Sequence, residues 1–347
     1  MLRAPPAVNP SAPHFVGATF LPGRGMQLFQ VRAELPERGE VDLLHSPSLV
    51  EAARRMNGGD ADWNGVASFS CGGAFLVPFA NRVRGRLIPE EGLTIEAHVL
   101  GRRVRLPADW HGPEPGAELC AMHGLLLDAR MDVAERADDR AAAVHHAGDF
   151  DGHWLSQTVV RIGASIRPQA IDLSVTASNA GDAPLPVGIG WHPYFALPSG
   201  RRDQARVHLP ARTRVLVTDY DDVFPTGELR AVAGTPYDFT AAGGAPLGDR
   251  YFDDCFVDLQ RSADGDARVE IYDPAAGYHA RLIVLSPHVR ALQLYAPPEQ
   301  PFVVVEPQFN LADPFGAVWP PDVDTGMVVL APGEDVTWAV RWELLLV

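Results

Sequence analysis

Hydrophobic and polar residues alternate with a period of two over much of the chain. In IDLSVTASN, Ile171, Leu173, Val175 and Ala177 interleave with Asp172, Ser174, Thr176 and Ser178. That pattern predicts an antiparallel strand with one buried and one wetted face. VVRIGASI alternates just before it, with Val160, Ile162, Ala164 and Ile166 on one side, and the RPQA link reads as a hairpin turn. VEIYDPAAG and YHARLIVL form a second pair about Pro274 and Gly277. The C-terminal VVLAPGEDVTWAVRWEL predicts a third hairpin turning at Pro332-Gly333, with Val336, Trp338, Val340 and Trp342 sharing a face. Helical periodicity is scarce. SPSLVEAARRM (46–56) predicts one or two turns capped by Ser46 or Ser48. ERADDRAAAVHH (135–146) contains helix formers without an apolar stripe and reads as a solvated connection. No linker, repeat or low-complexity tract interrupts the chain, so we expect residues 1–347 to form one large, mostly antiparallel all-β domain with few short helices.

Composition sharpens this picture in several ways. The 32 glycines and 31 prolines supply the turns that many short strands require, and 46% hydrophobic residues can fill a core. The formal net charge of −15 argues against nucleic acid or an anionic membrane as partner, since both reward a basic surface. All 29 basic residues are arginine, which excludes Schiff-base enzymes and P-loop NTPases, because both need a lysine amine. Cys71, Cys120 and Cys255 are scattered and odd in number, so neither a disulfide framework nor a zinc site is expected. The N-terminal MLRAPPAVNPSAPHF does not read as a secretory signal and no run approaches membrane-spanning length, so the expectation is a cytoplasmic protein, monomer or homodimer.

Several ionisable residues interrupt apolar or glycine-marked runs: Arg82 in PFANRVRGR, His123 in AMHGLLL, His192 in GIGWHPYFAL, Asp253 and Asp254 in YFDDCFVDL, and Glu306 in FVVVEPQFN. Taken singly, each has a plain explanation. A histidine beside aromatics is usually a hydrogen-bonded structural residue. Asp253-Asp254 suits a turn, Glu306 a wetted strand end, and Arg82, Arg84 and Arg86 one solvated strand face. A carboxylate closing a Val-Val-Val run is also partly desolvated, which raises its pKa toward useful base chemistry.

The order of these segments is more distinctive than any one of them. NAGDAPLPVGIGWHPYFAL (179–197) strongly resembles the aldose 1-epimerase (galactose mutarotase) family around its catalytic histidine. PFANRVRGR, MHGLLLD, FDDCFVDL, LQLYAP and VVVEPQFN resemble further family segments, in the family's order. The resemblance covers roughly residues 70–347. It implies a β-supersandwich fold, His192 and Glu306 as acid and base, and Arg82, His123 and Asp253, with Asn81 and Tyr295, as sugar-binding residues. It implies a monosaccharide substrate and neither cofactor nor metal. PQFNLADPFG departs from the family's usual proline-rich run and leads us to expect a locally remodelled pocket.

Anomer exchange needs a base at the C1 hydroxyl and an acid at the ring oxygen, exchanging roles as the opened ring closes. Trp191, Tyr194, Phe195 or Tyr295 would supply an apolar wall. The alternatives are a hexose-6-phosphate mutarotase using the arginine cluster, a carboxylate-pair glycoside hydrolase or lyase, and a non-catalytic sugar-binding module. The last needs neither Glu306 nor His192.

Overall fold

The alternating segments form strands whose inward positions are the apolar ones. A computed structural model of the chain describes residues 1–346. Thr158–Arg167 and Ala170–Asn179 pair antiparallel in full register, with Val160, Ile162, Ile166, Ile171, Leu173, Val175 and Ala177 buried. They belong to a nine-stranded sheet with Asp335–Leu344, Tyr278–Val284 and Ala267–Asp273. An eleven-stranded sheet carries the remaining long strands. The main buried cluster takes residues from both sheets and includes Trp191, Trp338, Trp342, Phe15 and Phe195. The fold is a large antiparallel β-supersandwich. Leu49–Arg55 is the α-helix, and the Ser48 hydroxyl caps it by accepting the Glu51 N–H at 3.2 Å.

Two segments differ from expectation. Residues 135–146 are not a solvated connection: Asp132–Arg136 and Arg140–Gly148 form a hairpin at the edge of the nine-stranded sheet, with Ala141, Ala142 and Ala143 buried. Alanine carries almost no strand signal, and here pairing with Thr158–Arg167 decides the conformation. The C-terminal segment turns at Pro332-Gly333, but its arms do not pair. Asp335–Leu344 lies between Ala170–Asn179 and Tyr278–Val284. With both its edges occupied, Val328–Leu330 pairs with Leu185–Val187 instead.

Four adjacent central strands of the larger sheet carry His192, Glu306, Tyr295 and Asp253. In spatial order they are the histidine strand Gly190–Ala196, the glutamate strand Phe302–Gln308, the glutamine strand Ala291–Ala296 and the aspartate strand Phe252–Leu259. The first ~35 residues extend this sheet at one edge through His14–Leu21 and Gln27–Leu35, and Gln27–Leu35 abuts Gly73–Leu76 beside the histidine strand.

Candidate active site

Strand register brings the acid–base candidates together. Gly190 pairs with Gln308 and Tyr194 with Val304, so His192 falls directly opposite Glu306. Opposed side chains on one face of neighbouring strands lie within contact distance, and His192 Nε2 is 3.4 Å from Glu306 Oε1. Each residue precedes a proline, Pro193 and Pro307, which has no N–H to give the ladder. Glu306 pairs in turn with Gln293, and Tyr295 with Asp253. The same alternation sends Trp191 and Phe195 into the inter-sheet core, packed on Trp342. They are therefore not cleft walls, contrary to expectation; Tyr194 and Tyr295 are.

All seven candidates, Asn81, Arg82, His123, His192, Asp253, Tyr295 and Glu306, line one cavity of about 370 Å³. Arg82, Asp253 and Asn81 close a polar ring through Gln293. Asn81 Oδ1 accepts from the Arg82 N–H (3.0 Å) and Nη1 (3.1 Å). Asn81 Nδ2 donates to Gln293 Oε1 at 3.2 Å, and Gln293 Nε2 donates to Asp253 Oδ1 at 2.5 Å. Arg82 Nη2 and Asp253 Oδ2 are 3.5 Å apart. Buried ions persist only when paired and hydrogen-bonded, which this ring provides. Gln293 was not among the sequence candidates. Its signal was a polar residue at an alternating position of ALQLYA, two before Tyr295.

His123 and Asn81 hold one another in left-handed turns, at φ of 60° and 59°. The His123 N–H donates to the Asn81 carbonyl (2.9 Å), and the Asn81 N–H donates to His123 Nδ1 (3.2 Å). His123 Nδ1 is thus an acceptor, and in the neutral ring the proton sits on Nε2. Gly124, at φ 86°, packs so tightly on the Val77 carbonyl that no side chain fits. Of the three arginines, only Arg82 lines the cavity. Arg84 stacks on Phe224 and pairs with Glu118, while Arg86 is exposed and pairs with Glu96, so they do not converge.

Ligand atoms of His123, His192 and Glu306 lie within 4.8 Å of one another, a spacing compatible with a metal. The Asn81 N–H on His123 Nδ1 opposes that use. A metal on Nε2 would displace its proton to Nδ1, where two donors would then meet. The trio therefore suits a hydrogen-bonding role better.

Burial dominates the electrostatics. It pulls the His192 pKa down to about 3, with the Arg82 charge acting the same way, and drives His123 well below the usual imidazole value. It pushes Glu306 well above the usual carboxylate range, reinforced by the charge of Asp253. His192 Nδ1 and Glu306 Oε2 are buried without a hydrogen-bond partner. Burial thus favours the neutral form of each member of the pair, imidazole and carboxylic acid. Aromatic rings surround it: Tyr194 lies 5.0 Å from the His192 ring centroid and Phe69 4.8 Å from that of His123. Phe69, Trp110, Tyr220 and Tyr251 complete the walls, and sequence patterning did not single them out.

The departing stretch PQFNLADPFG does not line this cavity. It braces the arginine segment from behind. Asn310 accepts the Ala80 N–H (3.0 Å) and donates to the Ala80 carbonyl (2.8 Å), and the Asp313 N–H donates to the Arg82 carbonyl (2.6 Å).

Fold and cleft together define a class: an antiparallel β-supersandwich with an opposed His–Glu pair on the floor of an aromatic-walled cleft. Residues 59–342 match the family model described as aldose 1-epimerase, and the chain belongs to that family. It is similar to an uncharacterized protein of Escherichia coli K12, YphB, at 32% identity over 137 residues. That match spans 38% of this chain and 39% of the relative's length. A galactose mutarotase-like protein from Clostridium acetobutylicum superposes with a TM-score of 0.73 at 14% identity, covering 96% of this chain and 95% of that one. The GalM/aldose epimerase homologue from C. elegans does so with a TM-score of 0.71 at 17% identity, covering 95% of each. At these identities the two structures speak for the fold.

Proposed function

We propose that the protein is an aldose 1-epimerase that interconverts the α and β anomers of a free aldose. The observation that carries this reading is the placement of His192 opposite Glu306, both buried on the cleft floor with Nε2 and Oε1 3.4 Å apart. In ring opening, Glu306 takes the proton of the C1 hydroxyl as His192 gives one to the ring oxygen, and the C1–O5 bond breaks to leave an aldehyde. Rotation about C1–C2 presents the other carbonyl face. Closure returns the proton from Glu306 to the carbonyl oxygen, while His192 recovers the one on the O5 hydroxyl. Each half-step needs one protonated and one free member, and opening starts from the tautomer with the proton on His192. The two tautomers, neutral pair and ion pair, differ only in which side of a 3.4 Å gap holds the proton. Hydrogen bonds from substrate hydroxyls to the two groups favour their charged forms and so the ion pair that begins opening. Each general acid–base group contributes roughly 10²–10⁴-fold, and no cofactor enters the scheme.

The polar ring of Arg82, Asp253, Asn81 and Gln293 would hold sugar hydroxyls through charge-assisted bonds, His123 would donate from Nε2, and Tyr194 and Tyr295 would face the sugar's C–H surface. The phosphorylated-sugar alternative loses its support, since Arg84 and Arg86 lie outside the cleft and Arg82 is already paired. The test is polarimetry of freshly dissolved α-D-galactose, α-D-glucose and glucose 6-phosphate with and without protein. The reading expects faster decay for a neutral aldose; no acceleration with any sugar overturns it.

A further inference from the structure

The cleft is lined by more than the acid–base pair and the polar ring. The acid–base pair and polar ring occupy its floor, while Trp110 and His111 stand at its mouth with Tyr220 and Tyr251. This mouth is built. The Tyr220 hydroxyl bonds both carboxylate oxygens of Asp254, at 3.1 and 3.0 Å, and Asp254 is fully buried next to Asp253 on the aspartate strand. Arg214 Nε lies 3.4 Å from the same carboxylate. The loop that carries Tyr220 is also tied to the loop that carries Trp110. The Glu114 N–H donates to Asp221 Oδ1 (3.2 Å) and the Glu118 N–H to Asp222 Oδ1 (2.8 Å), and Gly112 packs on the Asp221 carbonyl with no room for a side chain. Tyr220 nevertheless leaves 37% of its surface exposed. From it the rings run inward, with centroids 5.3 Å apart from Tyr220 to Tyr251 and 6.1 Å from Tyr251 to Tyr295.

A rigidly held, half-exposed aromatic ring in continuous contact with the wall of a sugar site suits the apolar C–H face of another sugar. The chemistry puts the anomeric carbon at the floor, which turns the opposite side of the ring, around C4, toward the mouth. We propose that Tyr220 and Tyr251 form a second sugar subsite faced by Trp110 and His111, so that the preferred substrate is the reducing-end unit of an oligosaccharide. The inference rests on the epimerase reading above and names its substrate class. Asp254 is then a positioning residue, acting through Tyr220.

The experiment measures kcat/KM for anomer exchange by polarimetry or NMR exchange, with galactose and glucose beside the 1,4-linked disaccharides lactose, maltose and cellobiose. At least one disaccharide should exceed its own reducing-end monosaccharide, glucose, by about tenfold, the scale of one good stacking contact. In Tyr220→Ala that ratio should collapse toward one. Tyr251→Ala should lower it too, and serves as the test if Tyr220→Ala does not fold. Monosaccharide turnover with no gain for any disaccharide, or a ratio untouched by the variants, overturns the subsite and leaves the epimerase reading standing. Silence of the wild type on every sugar overturns both.

Discussion

One cause shifts His192 and Glu306 in opposite senses: burial lowers the pKa of the imidazole and raises that of the carboxyl, favouring the neutral form of each. Between His192's lowered pKa and Glu306's raised one, the pair holds a single proton. Below the first it gains a second, and above the other it loses the only one. The acid limb of kcat/KM, which reports the free enzyme, should therefore fall well below the ordinary imidazole value of 6.5. A pH profile with its acid midpoint at that ordinary value contradicts this. His192→Asn, which removes the proposed ring-oxygen acid while keeping a polar side chain, should lower kcat by roughly 10²-fold or more with the fold intact, as read by polarimetry alongside circular dichroism. At this scale the sequence was most legible. Rare ionisable residues in apolar runs, taken in family order, marked the seven side chains that share the cleft. Gln293 escaped because an amide in a strand has no chemistry of its own. Its importance comes from bridging Asn81 and Asp253, which lie 212 and 40 positions from it in sequence, a link no local pattern records.

The elements explain why glycine precedes the histidine strand. A side chain at Gly188 would overlap Asn310 Oδ1, the acceptor of the Ala80 N–H, and Ala80 leads directly into Asn81 and Arg82. One at Gly190 would press on Ala80 itself. The segment thus couples the histidine strand to the polar ring through a single amide. Gly188→Ala should cost roughly 1–3 kcal/mol of stability, the usual cost of overpacking, and should raise KM more than it lowers kcat, because it displaces the ring rather than the acid–base pair. Denaturant unfolding and steady-state kinetics check the two halves; an unchanged KM in a destabilised protein contradicts the coupling. Strands with clean alternation were legible, Thr158–Arg167 and Ala170–Asn179 foremost. Arg140–Gly148 was not, because alanine is indifferent to conformation and its partner strand decides. The failed C-terminal hairpin has a related cause: the turn was read correctly, but which strand occupies an edge is a property of the whole sheet.

Across the molecule, the two sheets divide the labour. The inter-sheet core takes Trp191, Trp338 and Trp342, and the outward face of the central strands carries the chemistry, so one alternating strand serves both. Gly190–Ala196 shows this most plainly: Trp191 and Phe195 anchor it to the core while His192 and Tyr194 face the cleft. Placing the pair on the best-supported strands fixes its geometry. The layered architecture was legible from alternation and resemblance together, whereas the mouth of the cleft was not, since it is assembled from loops whose contacts span over 100 positions. The most direct test of the account compares wild type with Glu306→Gln, near in shape but unable to act as base, by the decay of optical rotation of fresh α-D-galactose and α-D-glucose at one pH. The account predicts acceleration by wild type and a loss of roughly 10²-fold or more in the folded variant. A folded Glu306→Gln protein that keeps wild-type activity would contradict it.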